Sequence, residues 1–273
     1  MRQRRSLLLA TSVLACMLSL VACAAAQPDG LASSRPSLPG WQTAPRHSAG
    51  IAPDPVLNRQ LAIVQVYVAP TYGWRGRLAV HPWIIYKRAG QDRFTRYDVV
   101  GWRAPEVVQR DYALPDGLWY GARPQLLVEH RGPQVEAMIE RIEQAIATYP
   151  WADQYRSYPG PNSNTFMAHI GREVPELRLD LPANAIGKDY RPLGEPVGRS
   201  PTGSGVQASL LGMLGLSVGW EEGVEFNLLG LNFGLDLNRP ALRLPFWGRL
   251  GLPGSPEQPV HGPEAFPIQG SND

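Results

Sequence analysis

The chain has 273 residues, with 26 lysines and arginines against 24 aspartates and glutamates, giving a formal net charge of +2 at pH 7. That near-balance excludes a bulk electrostatic case for nucleic acid or anionic lipid as the partner. Hydrophobic residues make up 44%, enough to fill one core, while 27 prolines and 28 glycines predict many turns and short elements around a single main domain of about 150–200 residues.

The first element is a leader. Arg2, Arg4 and Arg5 precede the apolar run "SLLLATSVLACMLSLVACAAA" over residues 6–26, the pattern of a secretory signal peptide. "LVAC" (Leu20 to Cys23) has the form of a bacterial lipobox, with Cys23 the lipid-modified first residue of the mature protein. An ordinary signal-peptidase cut after Ala26 is the alternative, which would leave a soluble periplasmic protein. Both cysteines, Cys16 and Cys23, lie in this segment. The body beyond it therefore has no thiolate nucleophile, disulfide or cysteine metal site. The sequence thus predicts an exported protein of a bacterial cell envelope, held to the membrane by an N-terminal lipid anchor.

Residues 27–55, rich in Pro, Ser, Gly and Ala, read as a flexible linker. A main domain is expected over 56–195. "LAIVQVYVA" (61–69) has the β-branched density of a buried strand, "RLAVHPWIIYKR" supplies a second, and "DRFTRYDVVGW" a third, with "KRAGQD" as the turn between the last two. From 133 to 149, Val135, Met138, Ile139, Ile142, Ala145, Ile146 and Tyr149 recur at helical spacing, and Pro150 ends the run. A shorter helix opens at Asn162 or Ser163 and stops at Pro175. Residues 196–251 alternate apolar and polar positions, punctuated by glycine, which predicts a β-rich extension, a hairpin or small sheet. Glu221, Glu222, Glu225 and Asp236 interrupt any run long enough to span a bilayer as a helix. Residues 252–273 read as a disordered tail. The expected fold class is α+β: a small antiparallel sheet, a long helix, a short helix carrying the candidate site, and a C-terminal β extension.

The candidate site centres on "YPGPNSNTF" (158–166). A serine at a helix start sits where unpaired backbone N–H groups stabilise a developing anion, and a serine nucleophile needs a nearby base, usually histidine. His81, on the second predicted strand, is the candidate base. The competing readings are structural: Ser163 as helix N-cap, a job Asn162 or Asn164 could equally do, and His81 as a buried, backbone-bonded histidine. Other groups carry weaker signals. "NAIGKDY" (184–190) lacks phosphate-loop glycine spacing and reads as a surface turn with a local Lys188–Asp189 pair, although Lys188 could serve as the base in a Ser–Lys arrangement. His130 and His169 match no compact metal-ligand spacing, so no metal or cofactor is predicted. Trp74, Trp83, Trp102, Trp119, Tyr120 and Trp151 divide between core packing and a groove for an envelope peptide, glycan or lipid.

Two resemblances add to this. "YPGPNSNTF" and "LPANAIGKDY" are similar to the corresponding stretches of domain of unknown function 3750, an uncharacterised bacterial family, over residues 64–190. More distantly, "VHPWIIYKRAGQDRFTRYDVVGW" followed by "NSNTF" resembles the circularly permuted papain-like domains, the PPPDE-type isopeptidases and lecithin retinol acyltransferase relatives. In that group a strand histidine precedes an Asn-Cys motif at a helix start. This resemblance implies Ser163 in the cysteine place, His81 as base and Asn162 as an orienting residue, with the third catalytic group open among Asp98, Asn164 and Lys188. Serine lacks the low pKa of thiol, so its attack must be concurrent with proton transfer. Two functions follow as expectations: a hydrolase or acyltransferase acting on an amide or ester, or a non-catalytic envelope protein that binds or scaffolds through a degenerate cleft of the same shape.

Overall fold

The computed structural model describes residues 41–251 apart from 239; the leader, Cys23, most of the expected linker and the C-terminal tail lie outside the described residues. Among the described residues, two antiparallel sheets and two α-helices make a mixed α+β fold. The first sheet has the order β4-β3-β2-β1-β5. Its strands are β1 (Ile63–Pro70), β2 (Val80–Lys87), β3 (Thr95–Val99), β4 (Val108–Arg110) and β5 (Gln125–Arg131). β1 and β2 are buried on both faces, which is why their sequences read as continuous apolar runs. Side chains on a strand point alternately to opposite faces. Val64, Val66, Val68, Ile84 and Tyr86 meet the helices, whereas Ile63, Tyr67, Trp83 and Ile85 pack beneath Phe94, Val100 and Trp119.

Helix α1 (Val135–Ala147) buries the predicted Val135, Met138, Ile139, Ile142 and Ala145 stripe against the sheet. Helix α2 (Ser163–Glu173) is buried along most of its length and packs on β2, β3 and α1. The chain enters α2 through the Pro159-Gly160-Pro161 turn, where Gly160 has φ 133°, a value that only glycine adopts without strain.

The C-terminal extension is larger than the expected hairpin or small sheet. Seven short strands run as one meander in the order β12 to β6: β6 (Val197–Arg199), β7 (Gly205–Leu210), β8 (Leu214–Gly219), β9 (Gly223–Leu228), β10 (Leu231–Asp236), β11 (Ala241–Leu244) and β12 (Gly248–Gly251). Tight turns join them; Leu229 and Gly230, both at positive φ, form the two-residue link between β9 and β10. The face turned to the rest of the fold is polar. Gln207, Asn227 and Asn232 converge on the Asp189 carboxylate, and Lys188 pairs with Glu225, which in turn faces Arg243.

Those contacts correct the reading of "NAIGKDY" as a surface turn, since Lys188 and Asp189 are each 1% exposed. The expected linker is corrected at its end. Ser48 bridges to Gly117, and the buried Asp116 carboxylate accepts from Ser48 Oγ and from the backbone N–H groups of Ile51 and Ala52. Composition alone reads such a Pro/Ser/Gly stretch as free chain; a single carboxylate distant in sequence supplies the backbone partners that tie it down. Among the described residues no helix is long and apolar enough to cross a membrane.

Candidate functional site

Asn162, not Ser163, is the N-cap of α2. Its Oδ1 accepts from the backbone N–H groups of Asn164 (2.9 Å) and Thr165 (3.2 Å), and Thr165 Oγ1 accepts from the Asn162 N–H (3.0 Å), completing a capping box. Asn162 Nδ2 donates to the carbonyls of Ser157 and Ile186. Both polar atoms of this side chain are therefore engaged in holding the helix start. The consequence for Ser163 is the reverse. It becomes the first helical residue, 4% exposed, and among the described residues no hydrogen bond engages its hydroxyl. Because the cap consumes the next two N–H groups, the Ser163 N–H is the one left at this helix start for an anion. The expected oxyanion hole thus narrows from several helix-start donors to one.

The sheet and the helix are stitched together beside this serine. Asn164 Nδ2 donates to the carbonyl of Val80 (3.2 Å), the residue before His81, and to that of Ile186 (2.8 Å). His81 and Ser163 consequently line one cleft of about 1020 Å³ at the end of the sheet. Asn164 Oδ1 is buried there with no partner.

His81 is held by three neighbours. Its ring stacks on Trp119 with centroids 3.7 Å apart and planes 6° from parallel. Its Nε2 lies 3.7 Å from Asp98 Oδ2, within ion-pair reach but longer than a hydrogen bond. Arg96 grips the same carboxylate oxygen through Nε (3.1 Å) and Nη2 (2.6 Å), donates from Nη1 to the Leu114 carbonyl, and lies over the Trp83 ring. Burial pushes the His81 imidazole below the usual histidine value, against the pull of Asp98, so it is neutral and able to accept a proton at neutral pH. Burial would raise the Asp98 carboxyl, but His81 and Arg96 outweigh it and hold the group below the ordinary aspartate range.

Of the three groups left open as a third catalytic residue, Asp98 faces the His81 ring. Asn164 is committed to two carbonyls through Nδ2. Lys188 points into the network with Glu225 and is not a base for Ser163. The remaining histidines are separate: His169 Nε2 bonds the Ala145 carbonyl and His130 Nε2 that of Leu177, and no metal-binding group is found among the described residues. Arg96 is not singled out by the sequence, and Trp119 stands there only among the aromatics divided between core and groove. Arg96 and Asp98 stand two apart on one strand, hence on one face, a pattern visible in "TRYDV". Nothing local marks Trp119, which reaches His81 from a loop far along the chain.

The rest of the cleft is aromatic and basic. Trp102, Tyr112, Tyr120, Tyr155 and Tyr158 line it, together with Arg46, Arg75 and Arg103, and among the described residues no carboxylate does. Arg46 lies over the Tyr120 ring and Arg103 over that of Tyr112. Residues 61–190 match the model of a family described as a protein of unknown function (DUF3750). No curated protein and no solved structure matches the chain. Ser163, His81, Asp98, Arg96 and Trp119 all fall inside the matched span, whereas the seven-stranded sheet follows it.

Proposed function

We propose that this chain, whose residues 61–190 match the DUF3750 family model, is a hydrolase or acyltransferase that opens an amide or ester bond with Ser163 as nucleophile and His81 as base. The observation that carries the proposal is the unengaged Ser163 hydroxyl at the first position of α2, in one cleft with a neutral histidine backed by Asp98. The Ser163 oxygen attacks the substrate carbonyl carbon and its proton passes to His81, while the Ser163 N–H bonds the oxyanion. Collapse breaks the bond to the amine or alcohol, which leaves with the proton from His81. Water, or an acceptor hydroxyl or amine, then attacks the acyl-serine, giving its proton to His81, which returns it to the Ser163 oxygen as the bond to the acyl group breaks and the product departs. Asp98 steadies the imidazolium in each half, and Trp119 fixes the ring plane. The arginines and the absence of carboxylates in the cleft favour a substrate carrying an acidic group beside the scissile bond. The order of parts, strand histidine first and helix-start nucleophile later, supports a permuted papain-like ancestry with serine in the thiol place. The basic start and apolar run of the leader support export to the cell envelope with lipid attachment at Cys23.

A second reading, a non-catalytic envelope protein that binds through this cleft, is favoured by one observation: among the described residues no hydrogen bond joins His81 to Ser163, and His81 Nε2 makes none, with Asp98 Oδ2 3.7 Å away. A fluorophosphonate probe separates the two. Covalent labelling of the folded protein, mapped to the peptide holding Ser163 and abolished in Ser163→Ala, is expected of the enzyme. A folded sample that takes no label, or a label that persists in Ser163→Ala, rejects it.

A further inference from the structure

The seven-stranded sheet is amphipathic in the unusual sense: its polar face is covered by the rest of the fold and its apolar face is open. The register makes that face continuous. Val206, Val218, Val224, Leu235, Leu242 and Leu250 are successive cross-strand partners from β7 to β12, and all but Val224 are about half exposed. Ala208, Leu216, Phe226 and Phe233 form a parallel row. Neither row contains a charged or hydrogen-bonding side chain. Seven strands of up to six residues, at ~4.8 Å spacing and ~3.4 Å rise, give a footprint of about 600 Å², at the top of the range of the largest apolar patches on monomers, which are often functional.

We propose that this face lies on the surface of a lipid bilayer. Three observations favour lipid over a second copy of the chain. Trp220 and Trp247 stand in turns at opposite ends of the strands, at 70% and 69% exposure. Such a flanking position suits indole at the boundary of hydrocarbon and water, whereas a protein interface buries its aromatic anchors at the centre. The rows are uniformly apolar and offer no polar group to fix the register of a partner. Finally, resting on the proposed lipid attachment, Cys23 lies 18 positions before Trp41, so that a lipid there would hold the sheet close to a membrane and raise its effective concentration at the surface. Strands of six residues are too short to cross the hydrocarbon, which takes about nine to eleven, so the sheet rests on the bilayer and does not span it.

The test uses the full chain with phosphatidylcholine vesicles whose acyl chains are brominated. Tryptophan emission should be quenched, and the quenched part should vanish in Trp220→Phe/Trp247→Phe. Leu216→Asp/Phe226→Asp, both on the open face, should weaken that quenching about tenfold or more while far-UV circular dichroism is unchanged. The proposal is overturned if vesicle-bound chain leaves Trp220 and Trp247 unquenched, since the leader alone would then do the binding. It is equally overturned if light scattering without lipid finds a dimer that Phe226→Asp dissolves, or if aqueous iodide cannot reach those tryptophans in a lipid-free monomer, since a second copy or the chain's own leader would then occupy the face.

Discussion

Glu225 is the joint between the seven-stranded sheet and the rest of the fold, and replacing it tests how the two are held together. The residue is fully buried on β9, with Lys188 against Oε2 and Arg243 Nη1 3.0 Å from Oε1. Burial works against the Lys188 charge, but the facing carboxylates outweigh it and raise the ammonium above the ordinary lysine value. Glu225→Ala removes that compensation. Asp180 still pairs with Arg243 (2.7 Å), yet Lys188 is left buried without its partner, the case in which losing one member of an ion pair costs about 3–5 kcal/mol. At about 2–4 °C per kcal/mol for a domain of this size, the melting temperature should fall by roughly 10 °C. Urea unfolding followed by far-UV circular dichroism measures this. The double variant Lys188→Met/Glu225→Met, which removes both charges and keeps the volume, should recover most of the loss. A Glu225→Ala protein as stable as wild type would refute the reasoning and make the sheet an independent appendage.

Other consequences follow from the site. Asn162→Ala should destabilise the fold by about 1–2 kcal/mol, from a lost cap and the loss of its bond to the Ser157 carbonyl, the Ile186 carbonyl keeping Asn164 Nδ2 as donor; denaturant titration checks it, and a change below about 0.5 kcal/mol would deny Asn162 its structural role. Gly187 sits at φ 98°, where an added Cβ would run into the Asn162 carboxamide, so Gly187→Ala should cost about 1–3 kcal/mol and slow labelling of Ser163 in parallel. Stability should also depend on pH through His81 and His169, whose pKa values burial depresses. The unfolded chain binds protons first, so the full contribution is present above pH ~6.5 and is lost as pH falls from there, by up to about 1.4 kcal/mol per pH unit for each histidine. Unfolding free energies at pH 7.5 and 5.5 measure the slope; a flat or opposite dependence contradicts neutral buried histidines.

The parts of this fold that repeat with a local period were legible in the sequence. The runs that became β1 and β2 are apolar throughout because both faces are covered, and the Val135 to Tyr149 stripe needed only helical spacing. The helix start at 162–163 was visible as well, but which residue caps it was not. Asn and Ser both suit a cap, and the Ile186 and Ser157 carbonyls favour Asn, whose amide donates to both while its Oδ1 caps the helix, where a hydroxyl has one hydrogen to give. The same limit explains Lys188 and Asp189. Their partners lie 18 to 43 residues away on a sheet, so a buried network reads locally as a solvated turn. Alternation in residues 196–251 announced strands with two faces, but alternation is silent on which face meets the core, and here the polar one does.

The central claim is that His81 activates Ser163, and the rate of Ser163 phosphonylation in His81→Gln measures it most directly. General-base assistance is worth about 10²–10⁴-fold, so the variant, folded and with its thermal transition intact, should react at least about 100-fold more slowly than wild type with the same fluorophosphonate. Equal rates in the two proteins would mean that the serine reacts without the histidine, and would contradict the account.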